Sequence, residues 1–179
     1  MKLDINTEKG QSSLRYEKKM IDRINHAICK KHQNDSMLIE TDKSMDAKID
    51  GIIVKNNEVA GGFESKCRNL SLMELKRFGS WLVTYDKISD GKLLSTMLRA
   101  PFIGFLYLIK DDIIMYWKIT DKYGNFLFDY DVKETSTQRT INGGSIVRKN
   151  AFLPVKYGNE LLWVKQYVPQ QLRWTQKKY

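Results

Sequence analysis

The sequence predicts an α/β fold, with a central mixed sheet flanked by helices and with additional strands and loops towards the C-terminus. Two observations support this class. Apolar residues recur at helical spacing near the N-terminus, and strand-like segments then precede a further helical segment. The 179 residues, 42% apolar and 28% charged, suffice for one core. We therefore interpret residues 1–179 as a single domain, with a core at about 11–119 and a basic extension at about 120–179.

The first element is a predicted helix over residues 11 to about 31. Four apolar residues share one face of it at spacings of 7, 3 and 4, namely Leu14, Ile21, Ile24 and Ile28. Glu17 falls on the same stripe. A glutamate there either belongs to a site or extends to solvent near the helix N-terminus, where its charge suits the helix dipole.

Three strands are predicted next, at residues 36–41, 47–55 and 58–67. Asn56 and Asn57 separate the second from the third, and asparagine tolerates the left-handed conformations of a tight hairpin turn. The second and third strands should therefore pair with each other.

The next helix is predicted from Ser71 and Glu74, which form a capping-box pattern, and it should extend to about Lys87. The remaining elements follow in chain order: a short helix at 91–99, strands at 102–109 and 113–119, and then short strands and polar loops.

The formal net charge of +9 is unevenly distributed. Residues 132–179 hold nine Lys and Arg against two acids, a balance of +7, so the first 131 residues carry only +2. This asymmetry favours a polyanionic partner for the C-terminal part of the chain. The alternative is a basic surface that is merely solvated.

Several classes of protein are disfavoured. Two cysteines and no secretory leader argue against a disulfide framework and favour a reducing, cytoplasmic location. His26 and His32 lie six residues apart on a helical pattern, which does not suit a zinc site. The longest apolar run, residues 102–109, is too short to span a bilayer, so we expect no membrane partner.

The stretch GGFESKCR places Glu64 and Lys66 on one face of the third strand. Asp50 lies in the preceding apolar segment KIDGIIV, where an isolated buried carboxylate would be costly. In a hairpin, Asp50 would approach Glu64 across the strands, and two adjacent carboxylates repel unless a cation or a proton compensates them. A divalent metal with oxygen ligands would do so. The alternative is an exposed ion pair on an edge strand.

Residues 11–109 resemble the PD-(D/E)xK nuclease superfamily, which has the restriction-endonuclease-like fold. Asp50 and Glu64 match the acidic positions, with thirteen residues between them, and Lys66 matches the motif lysine. Glu17 is a weaker match to an acid on the first helix. One departure from the pattern is Ile49, where a proline would precede the first acid.

The resemblance implies a metal-dependent DNA nuclease that hydrolyses phosphodiester bonds by in-line attack, leaving a 5′-phosphate and a 3′-hydroxyl. Mg²⁺, replaceable by Mn²⁺, would be held by Asp50, Glu64 and the backbone carbonyl of Ser65, and Lys66 would orient the attacking water. An endonuclease in phage or mobile-element DNA processing, recombination, repair or restriction is expected. A resolvase, an exonuclease, a non-catalytic nucleic-acid-binding module and a protein-interaction domain remain alternatives.

DNA would be contacted by cations. Arg139, Arg148 and Lys149 surround an Asn-Gly-Gly turn that predicts a flexible loop, and Arg68 and Lys76 follow the acidic motif. In the C-terminal segment LRWTQKKY, Trp174 and Tyr179 could stack on an unpaired base or contact a partner, including a second copy in a homodimer. Trp163, within LLWV, is expected in the core.

Overall fold

The computed structural model describes residues 8–32, 36–42, 47–139 and 145–162. It has an α/β architecture with a central mixed sheet, which confirms the predicted class. Trp163, Trp174 and Tyr179 lie outside the described residues. Within the described ranges, no helix combines the length and the apolar character needed to cross a membrane.

The elements in chain order are α1 (Glu8–His32), β1 (Ser36–Glu40), β2 (Gly51–Lys55), β3 (Glu58–Arg68), α2 (Leu72–Phe78), β4 (Ser80–Thr84), α3 (Tyr85–Leu98), β5 (Phe102–Leu108), β6 (Ile113–Lys118), β7 (Asp131–Arg139), β8 (Ser145–Pro154), the short 3₁₀ helix Val155–Tyr157 and β9 (Asn159–Glu160).

The central sheet has six strands in the order β1-β2-β3-β5-β6-β9. Only β3 and β5 pair in parallel; the other neighbours are antiparallel. The hairpin between β2 and β3 turns at Asn56 and Asn57, whose φ angles of 52° and 64° are left-handed, as the sequence predicts. The return from β3 to β5 passes through α2, β4 and α3, which brings the start of α3 towards the sheet.

Each face of the central sheet is covered by different elements. On one face, Met20, Ile21 and Ile24 of α1 are buried in one cluster with Phe63 and Phe105. On the other face, α3 and β4 pack in a second cluster. A second sheet, in the order β4-β8-β7, joins this layer. Its contact with the central sheet includes a tilted pair of buried indole rings, Trp81 and Trp117, with centroids 4.9 Å apart.

The prediction of one helix from Ser71 to about Lys87 is wrong in its second half. The capping box of Ser71 and Glu74 is present, but α2 ends at Phe78. Gly79 is left-handed, with φ of 75°, and its N–H donates to the carbonyls of Leu75 and Lys76, which closes the helix. The chain then forms β4, where burial alternates with a period of two, and Lys87 belongs to α3.

Three further features of the structure differ from the prediction: the start of one helix, the start of one strand, and a predicted loop. Helix α3 begins at Tyr85, so the short helix expected at 91–99 is its continuation. Strand β2 begins at Gly51, because residues 48–50 form a bend rather than extended strand. Arg139, Arg148 and Lys149 were expected in a loop, yet all three lie in the long antiparallel ribbon β7–β8. Residues 140–144 are outside the described part.

Candidate functional site

The pairing of β2 with β3 brings Asp50 to Glu64. Gly51 lies opposite Phe63, so the residue before Gly51 lies beside the residue after Phe63. The Asp50 N–H donates to the Phe63 carbonyl at 3.0 Å. The carboxylate of Asp50 is held in turn, because Oδ2 accepts from the backbone N–H of Ser65 at 2.8 Å and from its hydroxyl at 3.3 Å. The predicted approach of the two acids is therefore formed.

Glu64 is fully buried in the middle of the sheet, with 0% of its surface exposed. Neither carboxylate oxygen has a hydrogen-bond partner of acceptable geometry among the described residues. Burial raises the pKa of Glu64 to about 7, and the charge of Asp50 adds to the increase while Lys66 and Lys87 oppose it. A carboxylate in this position requires a positive charge or a proton.

Lys66 supplies one positive charge. Its Nζ lies 2.9 Å from Glu64 Oε1 and 3.5 Å from Asp50 Oδ2. Burial lowers the pKa of Lys66, but the carboxylates of Glu64, Asp50 and Glu17 more than offset that effect, so the pKa is raised above its ordinary value. The lysine remains an ammonium at neutral pH and about a quarter of its side chain is exposed, so it is accessible from solvent.

Lys87 supplies a second positive charge that the sequence did not assign to the site. Its Nζ lies 3.4 Å from Asp50 Oδ1 and 3.7 Å from Glu64 Oε2, and it donates to the Ala47 carbonyl at 2.7 Å. Lys87 is in the first turn of α3, and this helix packs tightly on β5 because Gly91 leaves room for Phe102: a Cβ at Gly91 would lie 2.3 Å from that ring. The sequence pattern predicted one helix from Ser71 to about Lys87, whereas Lys87 belongs to a new helix that begins at Tyr85, and its place beside the acids depends on a long-range contact with Ala47.

The other predicted site residues differ in how close they lie to the acids. Ser65 is buried and contacts Asp50 through its N–H and hydroxyl; the role of its carbonyl as a ligand stays a prediction. Glu17 is buried on α1, at 8% exposure, and its charge contributes to the raised pKa of Lys66. It is therefore an electrostatic neighbour of the cluster and not a solvated end-of-helix residue.

The donors at this site suit a hard divalent cation. Asp50 and Glu64 offer carboxylate oxygens, the preferred ligands of Mg²⁺, and the two Glu64 oxygens face ammonium groups, Lys66 at 2.9 Å and Lys87 at 3.7 Å. Within the ranges that the structure describes, no group of three or more His, Cys, Asp or Glu side chains could hold a metal ion. A cation here would therefore have two carboxylates as its side-chain donors, with the remaining ligands from backbone, water or substrate.

The basic candidates occupy three places. Lys149 of β8 is exposed, and its Nζ lies 5.4 Å from the centroid of the Tyr85 ring at the start of α3. Arg148 is next to it and partly buried. Lys76 is exposed on α2, and Arg68 is exposed at the end of β3, where its guanidinium donates to the Cys67 carbonyl at 3.1 Å. Arg139 ends β7. Arg148 and Lys149 therefore lie near the helix end that carries Lys87.

A cleft of about 570 Å³ lies elsewhere, on the second sheet. Its lining includes Phe78, Tyr130 and Lys133 and none of the residues of the carboxylate and lysine cluster. Its position gives no support to the chemistry at Asp50 and Glu64.

Comparisons with known proteins return no match: no family model, no curated protein and no solved structure is similar enough to this chain. The arguments for function therefore rest on the residues of this chain and their geometry.

Proposed function

We propose that the protein is a metal-dependent DNA nuclease of the PD-(D/E)xK type, a phosphodiester hydrolase that acts as an endonuclease. The observation that carries the proposal is the pairing of a buried Glu64 with Asp50 and Lys66 at the junction of β2 and β3. Two adjacent buried carboxylates are costly unless positive charge or a proton compensates them, and a divalent cation bound between them would supply the Lewis acid of metal-assisted phosphodiester hydrolysis.

Asp50 and Glu64 would hold Mg²⁺, or Mn²⁺ in its place, together with the carbonyl of Ser65. When bound, the cation supplies positive charge against the scissile phosphate and acidifies a water molecule. The Ser65 N–H, 2.8 Å from Asp50 Oδ2, fixes the orientation of that carboxylate before any ligand arrives. Such preorganisation removes part of the reorganisation cost from the reaction.

Lys66 would act on the reacting groups. Its ammonium remains charged at neutral pH, lies against Glu64 and is partly open to solvent. From there it can hold a water in place and stabilise the negative charge that develops on the phosphate oxygens. Glu17 would contribute through its charge, which favours the ammonium form of Lys66.

The DNA backbone would be bound by the β7–β8 ribbon. The ribbon joins the catalytic end of the molecule through β4, since Asn150 lies opposite Thr84, the residue before α3. Lys149 sits against Tyr85, so its charge could engage a phosphate near the carboxylates. Arg148 is the preceding residue of β8, so its side chain points to the other face of the ribbon. Arg139, Arg68 and Lys76 stay predicted contacts to the DNA backbone.

A non-catalytic nucleic-acid-binding module is the second candidate, and one observation favours it. The two carboxylates face two ammonium groups, Lys66 and Lys87, within 3.7 Å. Such a cluster is balanced in charge without a metal, as a purely structural network would be. In that case the basic ribbon would still bind DNA, and the acids would only connect β2, β3 and α3.

The experiment that separates the two is incubation of the purified protein with four DNAs: linear duplex, single strand, supercoiled circle and four-way junction. Each is tested with Mg²⁺ and with chelator. The nuclease proposal expects cleavage of at least one DNA with Mg²⁺ and none with chelator. If the protein binds DNA but cleaves none of the four DNAs in either condition, the result would support the non-catalytic module instead.

A further inference from the structure

Each of the two lysines of the site contacts one oxygen of Asp50 and one oxygen of Glu64. Lys66 Nζ faces Glu64 Oε1 and Asp50 Oδ2, at 2.9 and 3.5 Å. Lys87 Nζ faces the other oxygen of each acid, Asp50 Oδ1 and Glu64 Oε2, at 3.4 and 3.7 Å. Each ammonium therefore bridges the two carboxylates on its own side.

This arrangement accounts for the stability of the cluster without a metal. Two carboxylates and two ammonium groups cancel in charge, and removal of one partner from a buried pair leaves an uncompensated charge. However, a divalent cation that contacts both acids needs oxygen atoms that the ammonium groups now face. At least one lysine must then withdraw.

Lys87 is the lysine better suited to withdraw. Its contact with Glu64, at 3.7 Å, is longer than the 2.9 Å contact that Lys66 makes with the same acid, while the two lysines lie almost equally far from Asp50, at 3.4 and 3.5 Å. It also has a partner outside the acid pair, the Ala47 carbonyl at 2.7 Å, which can keep its ammonium hydrogen-bonded after the acids are released. Lys66 has the shortest ion pair in the cluster and is adjacent in sequence to Ser65, which holds Asp50.

We propose that the ammonium of Lys87 occupies the place of a divalent cation between Asp50 Oδ1 and Glu64 Oε2, so that cation binding displaces it from the two acids. The proposal rests on the cation site of the proposed function, at Asp50 and Glu64. It adds that the Lys87 ammonium competes with the cation for these two carboxylates. Lys87 then has two effects of opposite sign: it stabilises the metal-free fold, and it weakens the binding of the cation.

The directions of these two effects show whether Lys87 competes with the cation or only positions the neighbouring residues. If Lys87 only held the bend at Ala47 and Asp50 in shape, its removal would lower both the stability and the cation affinity. A competitor, once removed, leaves the acids more available to the cation. A cation close to a carboxylate typically changes the proton affinity of that carboxylate by about ten-fold or more, and we expect a change of similar size, about ten-fold, for the divalent ion.

The test uses Lys87→Met and Lys87→Gln in the full chain, with Lys92→Met as the control. Lys92 lies on the same helix, is exposed and has its Nζ over the Phe126 ring. Gln keeps a donor for the Ala47 carbonyl but carries no charge, so it serves if the Met variant does not fold. Melting temperature is measured in chelator, and the binding of Mg²⁺ and of Mn²⁺ is measured by titration calorimetry.

The expected result is a lower melting temperature in chelator for both Lys87 variants, together with a cation affinity about ten-fold higher than that of the parent. The Lys92 variant should match the parent in cation affinity. Unchanged or weaker cation binding by the Lys87 variants, with normal binding by the parent, would overturn the competition while leaving the proposed function intact. A parent that binds neither cation would overturn both.

Discussion

Glu64 has no exposed surface and no hydrogen-bond partner of acceptable geometry for either oxygen in the described part of the chain. Its burial makes the ionised form costly, and the neighbouring Asp50 increases that cost. Lys66 and Lys87 offset part of it. A bound cation would compensate the remaining negative charge. The raised pKa of Glu64 should also make the stability of the metal-free protein depend on pH.

The metal-free protein should lose stability as the pH rises from about 4.5 to about 7, by the contribution of Glu64. The folded-state pKa lies above the unfolded value, so the folded protein binds more protons in this window and its free energy of unfolding decreases with pH. Chemical denaturation in chelator at several pH values, for the parent and for Glu64→Gln, measures the effect. The difference in free energy of unfolding between the two proteins should change between pH 4.5 and about 7. A difference that stays constant with pH would show that Glu64 does not titrate in this range.

Lys66→Ala should reduce the DNA cleavage rate by about 10² or more while cation binding persists, because the ammonium acts on water or on developing charge. Cleavage is measured at saturating Mg²⁺ and cation binding by calorimetry. Lys18→Ala is a suitable control, since Lys18 is exposed on α1 and pairs only with Asp22 within the described contacts. Lost cation affinity with an unchanged rate at saturating Mg²⁺ would contradict the assigned role.

At the residue scale, the sequence predicted the acid pair and its lysine because hairpin geometry is local. Asn56 and Asn57 fix the turn, and strand pairing then brings Asp50 beside Glu64. Lys87 could not be predicted in the same way. Its place in the cluster depends on a contact between α3 and the segment before β2, 40 residues apart in sequence.

Among the elements, α2 shows how one residue decides a boundary. The apolar spacing after Ser71 continues past Gly79, but the glycine takes a left-handed conformation that ends the helix and starts β4. Trp81 and Val83 then face the core as strand residues. The apolar residues of this segment fit the spacing of a helix as well as the alternation of a strand. The segment forms a strand because Trp81 and Val83 are then buried in the core.

Gly79→Ala should destabilise the protein by about 1 kcal/mol, because φ of 75° is unfavourable for an L-residue with a Cβ. Open space surrounds the position, with no atom within 4 Å of an added Cβ, so the cost is one of backbone conformation alone. Gly79→Asn should cost less, since asparagine tolerates this region. Thermal or chemical denaturation compares the three proteins. Equal stability of the Ala variant and the parent would refute the capping role.

Residues 137–150 were expected to form a loop because the Asn-Gly-Gly stretch at 142–144 indicates a flexible turn. The flanking residues instead pair over a long ladder, from Asp131 opposite Phe152 to Arg139 opposite Ser145. A polar, non-repeating sequence carries little strand periodicity, so the pairing of this ribbon with β4 could not be read from local pattern.

Neutralising Arg139, Arg148 and Lys149 together to Gln should make the slope of log affinity against log salt shallower by up to about 2.7 on duplex DNA, since each lost phosphate contact removes about 0.9. DNA binding is measured across a range of salt concentrations with the metal omitted. The control carries three changes at exposed lysines away from the ribbon, Lys18, Lys118 and Lys122. Equal slopes for the ribbon variant and the parent would show that the ribbon does not contact the backbone.

For the molecule as a whole, the sequence predicted the α/β class and the first three strands with their hairpin, and the structure confirms both. It did not predict the second sheet, in which β4 pairs with β8, a strand far from it in sequence. This sheet matters for the proposed function, because it ties the basic ribbon to the start of α3 and so to the acid and lysine cluster.

Cleavage of DNA by the Asp50→Asn and Glu64→Gln variants, measured at saturating Mg²⁺ beside the parent and Asp22→Asn, tests the central claim most directly. Asp22 is an exposed acid on α1 whose only ion pair among the described residues is with Lys18. The account predicts that both site variants keep their fold, lose cation binding and lose cleavage, whereas Asp22→Asn behaves as the parent. Full Mg²⁺-dependent cleavage by either site variant would contradict the assignment of the catalytic site to Asp50 and Glu64.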